Sequence, residues 1–362
     1  MKKVKLALGV LVLVVAILGA LEGWARVRYP EPPPAAWRLH TLTGFARPPH
    51  YKAPKIAIDT LEPFTLETNA LGLRSTTLDT VAKPAGVYRI VFLGGSTTDN
   101  GDLPHEHTFP GIVEARLRSR GIEVANAGMP GATTNTVLAE LVHRVLPLQP
   151  DLVVCLDPAL NDFHESLRPG WDPAMGHLAL EPPPPRFADW LAGESRFLSL
   201  FNSKNAELVN ARELLERRVE RRREQPIYEP TPDFLLRAYF HFEQVQRLIL
   251  EVCRDEKVAC ALITESTLLK PDLSPKEDAV IASTAIMGTD FNLRPETELW
   301  ALEVFNDVTR RNAKAFGALL IDGAKIVPKD LDHYLDDVHL TTKGNQVIAD
   351  AILEAIAPVI SR

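Results

Sequence analysis

The sequence predicts a doubly wound α/β fold, a parallel β-sheet flanked by helices on both faces, behind an N-terminal membrane segment. Three observations predict it. Short apolar runs closed by Gly, Asn or Asp alternate with longer stretches of helical periodicity, as parallel strands joined by crossover helices require. The composition, 46% hydrophobic and 24% charged over 362 residues, is that of a globular chain long enough to bury a core. The first thirty residues stand apart from the rest in charge and hydropathy.

Lys2, Lys3 and Lys5 precede an uninterrupted apolar or glycine run from Leu6 to Leu21, and Glu22, Trp24, Arg26 and Arg28 follow it. The run is long for a signal-peptide core and short for a spanning helix. Trp24 at the boundary and a basic start favour an uncleaved signal anchor over residues 1–28. Gly23-Trp24-Ala25 also reads as a cleavage site, so a secreted form is the alternative. Either way the rest of the chain is expected on the extracytoplasmic side.

Residues 29–85 read as an extended, proline-rich lead-in, because Pro30, Pro32, Pro33, Pro34, Pro48, Pro49 and Pro54 forbid long helices. The main domain is expected over 86–362, interrupted by a lid-like insertion at about 165–236 that contains Pro182 to Pro185 in a row. Within the insertion, Ala206 to Gln225 has helical composition. Its basic cluster (Arg217, Arg218, Arg221, Arg222, Arg223) is interleaved with Glu213, Glu216, Glu220 and Glu224, and reads as a solvated face.

The alternation then runs in order. Val87 to Leu93 is a buried strand, Thr108 to Arg120 a helix with Pro110 in its first turn, and Ile122 to Asn126 a strand. Thr134 to Leu146 is a helix and Asp151 to Leu156 a strand. Tyr239 to Asp255, Glu296 to Phe316 and the segment after Thr341 are helices; Val258 to Thr264 and Ala318 to Asp322 are strands. The last helix carries Val347, Ile348, Ala351, Ile352, Ala355 and Ile356 on one stripe.

A formal net charge of −7 gives no general attraction to nucleic acid. Three cysteines and no C-x-x-C exclude a disulfide-dense scaffold and a cysteine zinc site. His105-Glu106-His107 resembles a metal pair but has no third ligand at convincing spacing, so neither a metal nor a cofactor is expected. His164 is expected at the solvent, and Cys253 and Cys260 are expected to stay unpaired.

In parallel sheets function sits at the carboxyl ends of the strands. Those ends carry Gly94-Gly95-Ser96, then Asn126-Ala127-Gly128, then Ala159-Leu160-Asn161-Asp162, and finally Asp336-Asp337-Val338-His339. A hydroxyl, glycine-turn amides, a carboxamide and a carboxylate–imidazole pair are what acyl transfer to water needs. The serine is a weak nucleophile until a base takes its proton, and the tetrahedral intermediate needs fixed donors.

In these residues the chain resembles the SGNH or GDSL hydrolases, whose four blocks carry Ser, Gly, Asn and His in this order. It is most similar to the bacterial, membrane-anchored branch, in which a segment like Asn69-Ala70-Leu71-Gly72-Leu73-Arg74 precedes the first block. The resemblance implies a flavodoxin-like, three-layer architecture. It implies Ser96 as nucleophile, His339 as base and Asp336 as its orienting carboxylate, with Asp337 the neighbouring decoy. The amides of Ser96 and Gly128 and the side chain of Asn161 would line the oxyanion hole.

Two departures stand out: Gly95 replaces the acidic residue of G-D-S, and Ala159 replaces the glycine of G-x-N-D, where it would strain or narrow the turn if that glycine served a positive φ. The expected activity is hydrolysis of acyl or acetyl esters of a lipid or glycan by a Ser-His-Asp triad, without cofactor. The alternatives are O-acyl transfer onto surface glycans and a non-catalytic glycan-binding or assembly role.

Overall fold

The computed structural model describes residues 2–28, 38–40, 44–168, 170–172, 177–178, 195, 211–286 and 289–360. The chain divides into two compact units, Met1–Ala35 with Leu180–Val209, and Ala36–Ala179 with Asn210–Arg362. The first unit contains helix α1 (Lys2–Arg28), which covers the N-terminal apolar run. Among the described residues no helix is long and apolar enough to cross a membrane, so the spanning segment expected over 1–28 has no support from the structure.

The second unit is built on a five-stranded parallel sheet: β1 (Tyr88–Gly94), β2 (Ile122–Asn126), β3 (Leu152–Leu156), β4 (Ala259–Ile263) and β5 (Leu319–Ile321). The spatial order is β2-β1-β3-β4-β5, so the topology reverses between β1 and β3 and opens a crevice at their carboxyl ends. Side chains alternate across the sheet. Ile90 and Phe92 pack with α3 (Phe109–Leu117) and the C-terminal helix, while Val91 and Leu93 pack with α4 (Thr134–Glu140) and α7 (Pro232–Asp255). Helix α8 (Pro295–Phe316) packs with α5 (Ala159–Ser166) and α7 through Phe305, Phe163 and Phe242. The C-terminal helix, α9 (Thr342–Ile360), buries Ile348, Ile352 and Ile356.

Three element boundaries depart from the sequence expectation. The helix expected over Thr134 to Leu146 leaves α geometry after Glu140, passing through a π-helical turn at Leu141–Val145 and a 3-10 turn at Leu146–Leu148. Pro147 has no N–H to continue the α ladder. Helix α7 begins at Pro232, not Tyr239, because proline in the first turn loses only an N–H that has no helical partner there. Helix α6 (Ala211–Glu224) is shorter than the expected Ala206 to Gln225.

The lead-in is no mere linker. A hairpin pairs Lys52–Ile56 with Pro63–Glu67, and the backbone of Arg74 bridges to Asn126 at the end of β2. One oxygen of the buried Glu114 carboxylate on α3 accepts from the amides of Thr76 (2.7 Å) and Thr77 (2.8 Å), and the hydroxyls of Ser75 and Thr77 reach the same atom. Burial alone would raise the Glu114 pKa; the hydrogen bonds and charge of His105, with the Thr76 and Thr77 bonds, hold it instead at about 2. Residues 44–85 therefore fold with the sheet, and the boundary expected at 85 does not separate them from it. The expected Pro182 to Pro185 run and most of the lid-like insertion, at 173–176, 179–194 and 196–210, lie outside the described residues.

Candidate active site

Strand β1 ends in Gly94, and Ser96 opens the short helix α2 (Ser96–Asp99) immediately after Gly95. The turn is tight. A Cβ on Gly95 would lie 3.0 Å from Cβ of Pro158 and 3.2 Å from Nδ2 of Asn161. The contact favours glycine at this position and seats the Asn161 carboxamide against the Ser96 turn.

His339 arrives from the other end of the chain. Its loop is fastened by Asn345 at the start of α9, whose Oδ1 accepts the Phe109 amide (2.8 Å) and whose Nδ2 donates to the carbonyls of Leu340 (3.1 Å) and Thr341 (2.9 Å). Asn100, just after α2, donates to the same Leu340 carbonyl at 3.3 Å. The result brings His339 Nε2 within 2.9 Å of Ser96 Oγ. On the other side of the ring, Nδ1 lies 2.8 Å from Asp336 Oδ2, while Asp336 Oδ1 accepts the amides of Val338 (2.9 Å) and His339 (2.7 Å).

Burial works against a charged His339, but the adjacent Asp336 charge and its hydrogen bond outweigh it and raise the imidazole pKa to about 9. Burial would likewise raise Asp336; the His339 charge and hydrogen bond hold it well below the usual carboxylate range. Asp337 turns away. Its Oδ1 accepts the amides of Ala282 (3.0 Å) and Ser283 (3.1 Å), and burial, with the Asp336 and Glu298 charges, raises it to about 7.

Asn161 donates from Nδ2 to the carbonyl of Ala132 at 2.8 Å, so it spans the Ser96 turn and the turn after β2. Asp162 fixes that second turn by accepting the Thr134 amide (2.8 Å) and hydroxyl (2.7 Å). Glu265 at the end of β4 accepts the Leu160 amide at 2.9 Å, which orients the first turn of α5; burial is the main cause of its rise to about 7. Ala159 occupies that turn without strain, because its φ is not positive.

Gly128 departs from its expected place in the oxyanion hole. Its N–H donates to Asn126 Oδ1 at 2.8 Å, and a donor already used inside the protein is not offered to an oxyanion. Its lack of a side chain has another reason: a Cβ there would meet the Asp99 amide nitrogen of α2 at 2.3 Å. Three residues on, Gly131 has φ +73° at an exposed turn, and its N–H has no acceptor among the described residues. It lies one residue before the Ala132 carbonyl that Asn161 holds. The sequence contained this signal in the second glycine of Gly128-Met129-Pro130-Gly131.

The remaining candidates fall elsewhere. His105 Nε2 lies 2.9 Å from Glu114 Oε2, and among the described residues no His/Cys/Asp/Glu group could hold a metal ion. His164, expected at the solvent, is instead largely buried and lies 3.1 Å from Glu298, because α8 packs over α5. Cys155, Cys253 and Cys260 are free thiols.

The model of the GDSL-like lipase/acylhydrolase family matches residues 92–347. No curated protein matches the chain. Among solved structures, the chain is similar to an α/β hydrolase enzyme from the metagenome of Lake Arreo, Spain, at 17% identity, TM-score 0.42, covering 75% of this chain and 95% of that one. It is similar also to an acetylxylan esterase from Geobacillus stearothermophilus (16%, TM-score 0.42, 74% and 94%). A third is a putative acylhydrolase from Bacteroides fragilis (16%, TM-score 0.40, 75% and 87%). With the match extending over more than half its length, the chain belongs to the GDSL-like lipase/acylhydrolase family and is an ester-hydrolysing enzyme.

Proposed function

We propose that the protein is a serine esterase that cleaves carboxylic esters through Ser96, His339 and Asp336, on the extracytoplasmic side of a membrane to which residues 1–28 tether it. One observation carries the chemistry: the unbroken line from Ser96 Oγ through the His339 ring to Asp336. Ser96 attacks the ester carbonyl as its proton passes to Nε2 of His339. The carbonyl oxygen becomes an oxyanion facing the N–H groups of Ser96 and Gly131 and the second Nδ2 hydrogen of Asn161. His339 then gives its proton to the departing alcohol, leaving an acyl group on Ser96. Water, deprotonated by His339, attacks that acyl group and frees the acid, and the proton returns to Ser96. Asp336 stabilises the imidazolium formed in each half and fixes the tautomer. The side of the membrane rests on Lys2, Lys3 and Lys5 ahead of the apolar run and on Trp24 behind it.

The test is an ester panel of graded acyl length with the full chain and its Ser96→Ala variant, run beside a fluorophosphonate probe. Hydrolysis and labelling at Ser96 are expected in the parent chain. In the variant labelling disappears and the rate falls on the order of 10³-fold or more. A parent chain that resists the probe, or a variant that keeps its rate, overturns the reading. Added glycan alcohols are expected to leave acyl-enzyme breakdown unchanged; faster breakdown with a transferred acyl group would make the enzyme a transferase instead.

A further inference from the structure

The basic cluster of the insertion is solvated only in part: Arg217 and Arg223 are exposed, as expected, but Arg218, Arg221 and Arg222 are half-buried. Helix α6 is docked on residues 278–286 and 289–292. Arg221 donates to the Thr289 carbonyl (2.6 Å), and Arg222 to the Asp278 carbonyl (3.0 Å) and carboxylate (2.7 Å). Asn292 donates back to the carbonyls of Arg222 (2.9 Å) and Gln225 (2.6 Å), and Val219 is buried. Arg218 shares this docked face, three and four residues before Arg221 and Arg222. The same segment continues to the site, because its Ala282 and Ser283 amides hold Asp337 beside Asp336.

Arg218 differs from its neighbours. Arg217 pairs with Glu213 at 2.6 Å and Arg222 with Asp278 at 2.7 Å, whereas Arg218 has no carboxylate partner among the described residues. Its Nε is shut off from solvent and donates to nothing. Yet it stands beside the triad: although burial and the Asp336–His339 pair dominate those groups, the Arg218 charge is felt at Asp336, Asp337 and His339 alike. It makes no hydrogen bond or close ion pair with the nearby carboxylates: both Asp336 oxygens are taken by backbone amides and His339, and Asp337 Oδ1 by two amides, while Asp337 Oδ2 is buried without a hydrogen-bond partner. Arg218 is half-buried; a guanidinium nitrogen shut off from water without a partner is costly, and the planar fork of donors matches an oxyanion group.

We propose that Arg218 is a specificity residue that receives a negatively charged group on the substrate, so that the enzyme prefers esters bearing a carboxylate or similar anion near the scissile bond. The assignment rests on the serine-esterase reading. The anion belongs either to the acyl part or to the alcohol part, and the experiment separates the two.

Hydrolysis rates of 4-nitrophenyl butyrate and mono-4-nitrophenyl glutarate test an acyl-side anion; phenyl acetate and 3-acetoxybenzoate test an alcohol-side one. Each is measured with the full chain, Arg218→Gln, Arg218→Lys and, as a control on the same helix, the exposed Arg217→Gln. For one pair, the ratio of kcat/KM between charged and neutral ester is expected to fall about tenfold or more in Arg218→Gln. It recovers in part in Arg218→Lys and holds in Arg217→Gln. Added salt is expected to shrink the parent ratio. A ratio unchanged by Arg218→Gln in both pairs, including equal loss on charged and neutral esters, overturns the proposal while leaving the esterase reading intact. Hydrolysis of none of the four esters overturns the esterase reading itself.

Discussion

His339 and Asp336 form a pair in which Nδ1 lies 2.8 Å from Oδ2, while Asp337, one residue further on, points its carboxylate at the amides of Ala282 and Ser283. Two adjacent acids thus have separate duties. Asp336→Asn is expected to lower kcat on the order of 10⁴-fold, because an amide no longer holds the productive tautomer. Asp337→Asn keeps an oxygen for the two amides and is expected to cost less than about tenfold. Steady-state kinetics of both variants decide it, and the reverse ranking would exchange the assignments.

The same pair sets the pH dependence. In the proposed mechanism His339 must be neutral to take the Ser96 proton, and its Asp336 partner, outweighing burial, raises its pKa to about 9. Protonated below that value, it is inactive as a base, so kcat/KM is expected to rise with pH and to reach half its limit above the ordinary histidine value of about 6.5. A profile of kcat/KM between pH 5 and 10 checks this; an inflection at or below about 6.5 contradicts it.

Gly128 and Gly131 separate packing from chemistry. Gly128→Ala forces a Cβ onto the α2 backbone, 2.3 Å from the Asp99 nitrogen, and is expected to lower thermal stability and activity together. Gly131 has open space around it but φ +73°, so Gly131→Ala is expected to cost only about 1 kcal/mol of stability. Alanine keeps the backbone N–H, so kcat is expected to fall only as far as relief of the positive φ turns that N–H away from the site. Thermal melts beside kcat values check this: stability and activity should fall steeply together in Gly128→Ala, and a Gly131→Ala enzyme that melts as far below the parent as Gly128→Ala would contradict it.

Glu114 makes the lead-in part of the stability of the fold. Its pKa is held at about 2 against an ordinary 4.5, so its contribution is present above the ordinary value and is lost as pH falls toward 2. The shift corresponds to on the order of 3 kcal/mol. Denaturant unfolding between pH 2 and 6 is expected to show this dependence in the parent chain and its flattening in Glu114→Gln. Equal slopes in both would mean that Glu114 does not tie residues 75–77 to the sheet.

The strands and the chemistry-bearing residues at their ends were legible in the sequence, because both depend on short-range patterns. A buried parallel strand must be continuously apolar, and the chain must break where its carboxyl end meets the crevice. Hence Ser96, Asn161 and the Asp336-Asp337-Val338-His339 segment stood out at the strand ends, and the family resemblance singled out Asp336 over Asp337. The sequence also marked the N-terminal apolar run. What it could not show was how backbone donors are spent. Gly128 reads as an oxyanion donor until Asn126 is seen to take its N–H, and Gly131 emerges only through its dihedral angle and its place beside Asn161.

The proline-rich lead-in looked like a linker because local composition carries no record of Glu114, nearly forty residues away, accepting its amides. Arg218 looked solvated for the same reason. The sequence by itself determined which side chains the site contains and where along the sheet they fall. Tertiary structure alone decided which glycine, among the described residues, has an N–H without an acceptor, and which arginine of the α6 cluster has no carboxylate partner there. Each of these is a question of which polar group is nearest after the chain has closed on itself, and hydrogen-bonding distance in space has no fixed counterpart along the sequence.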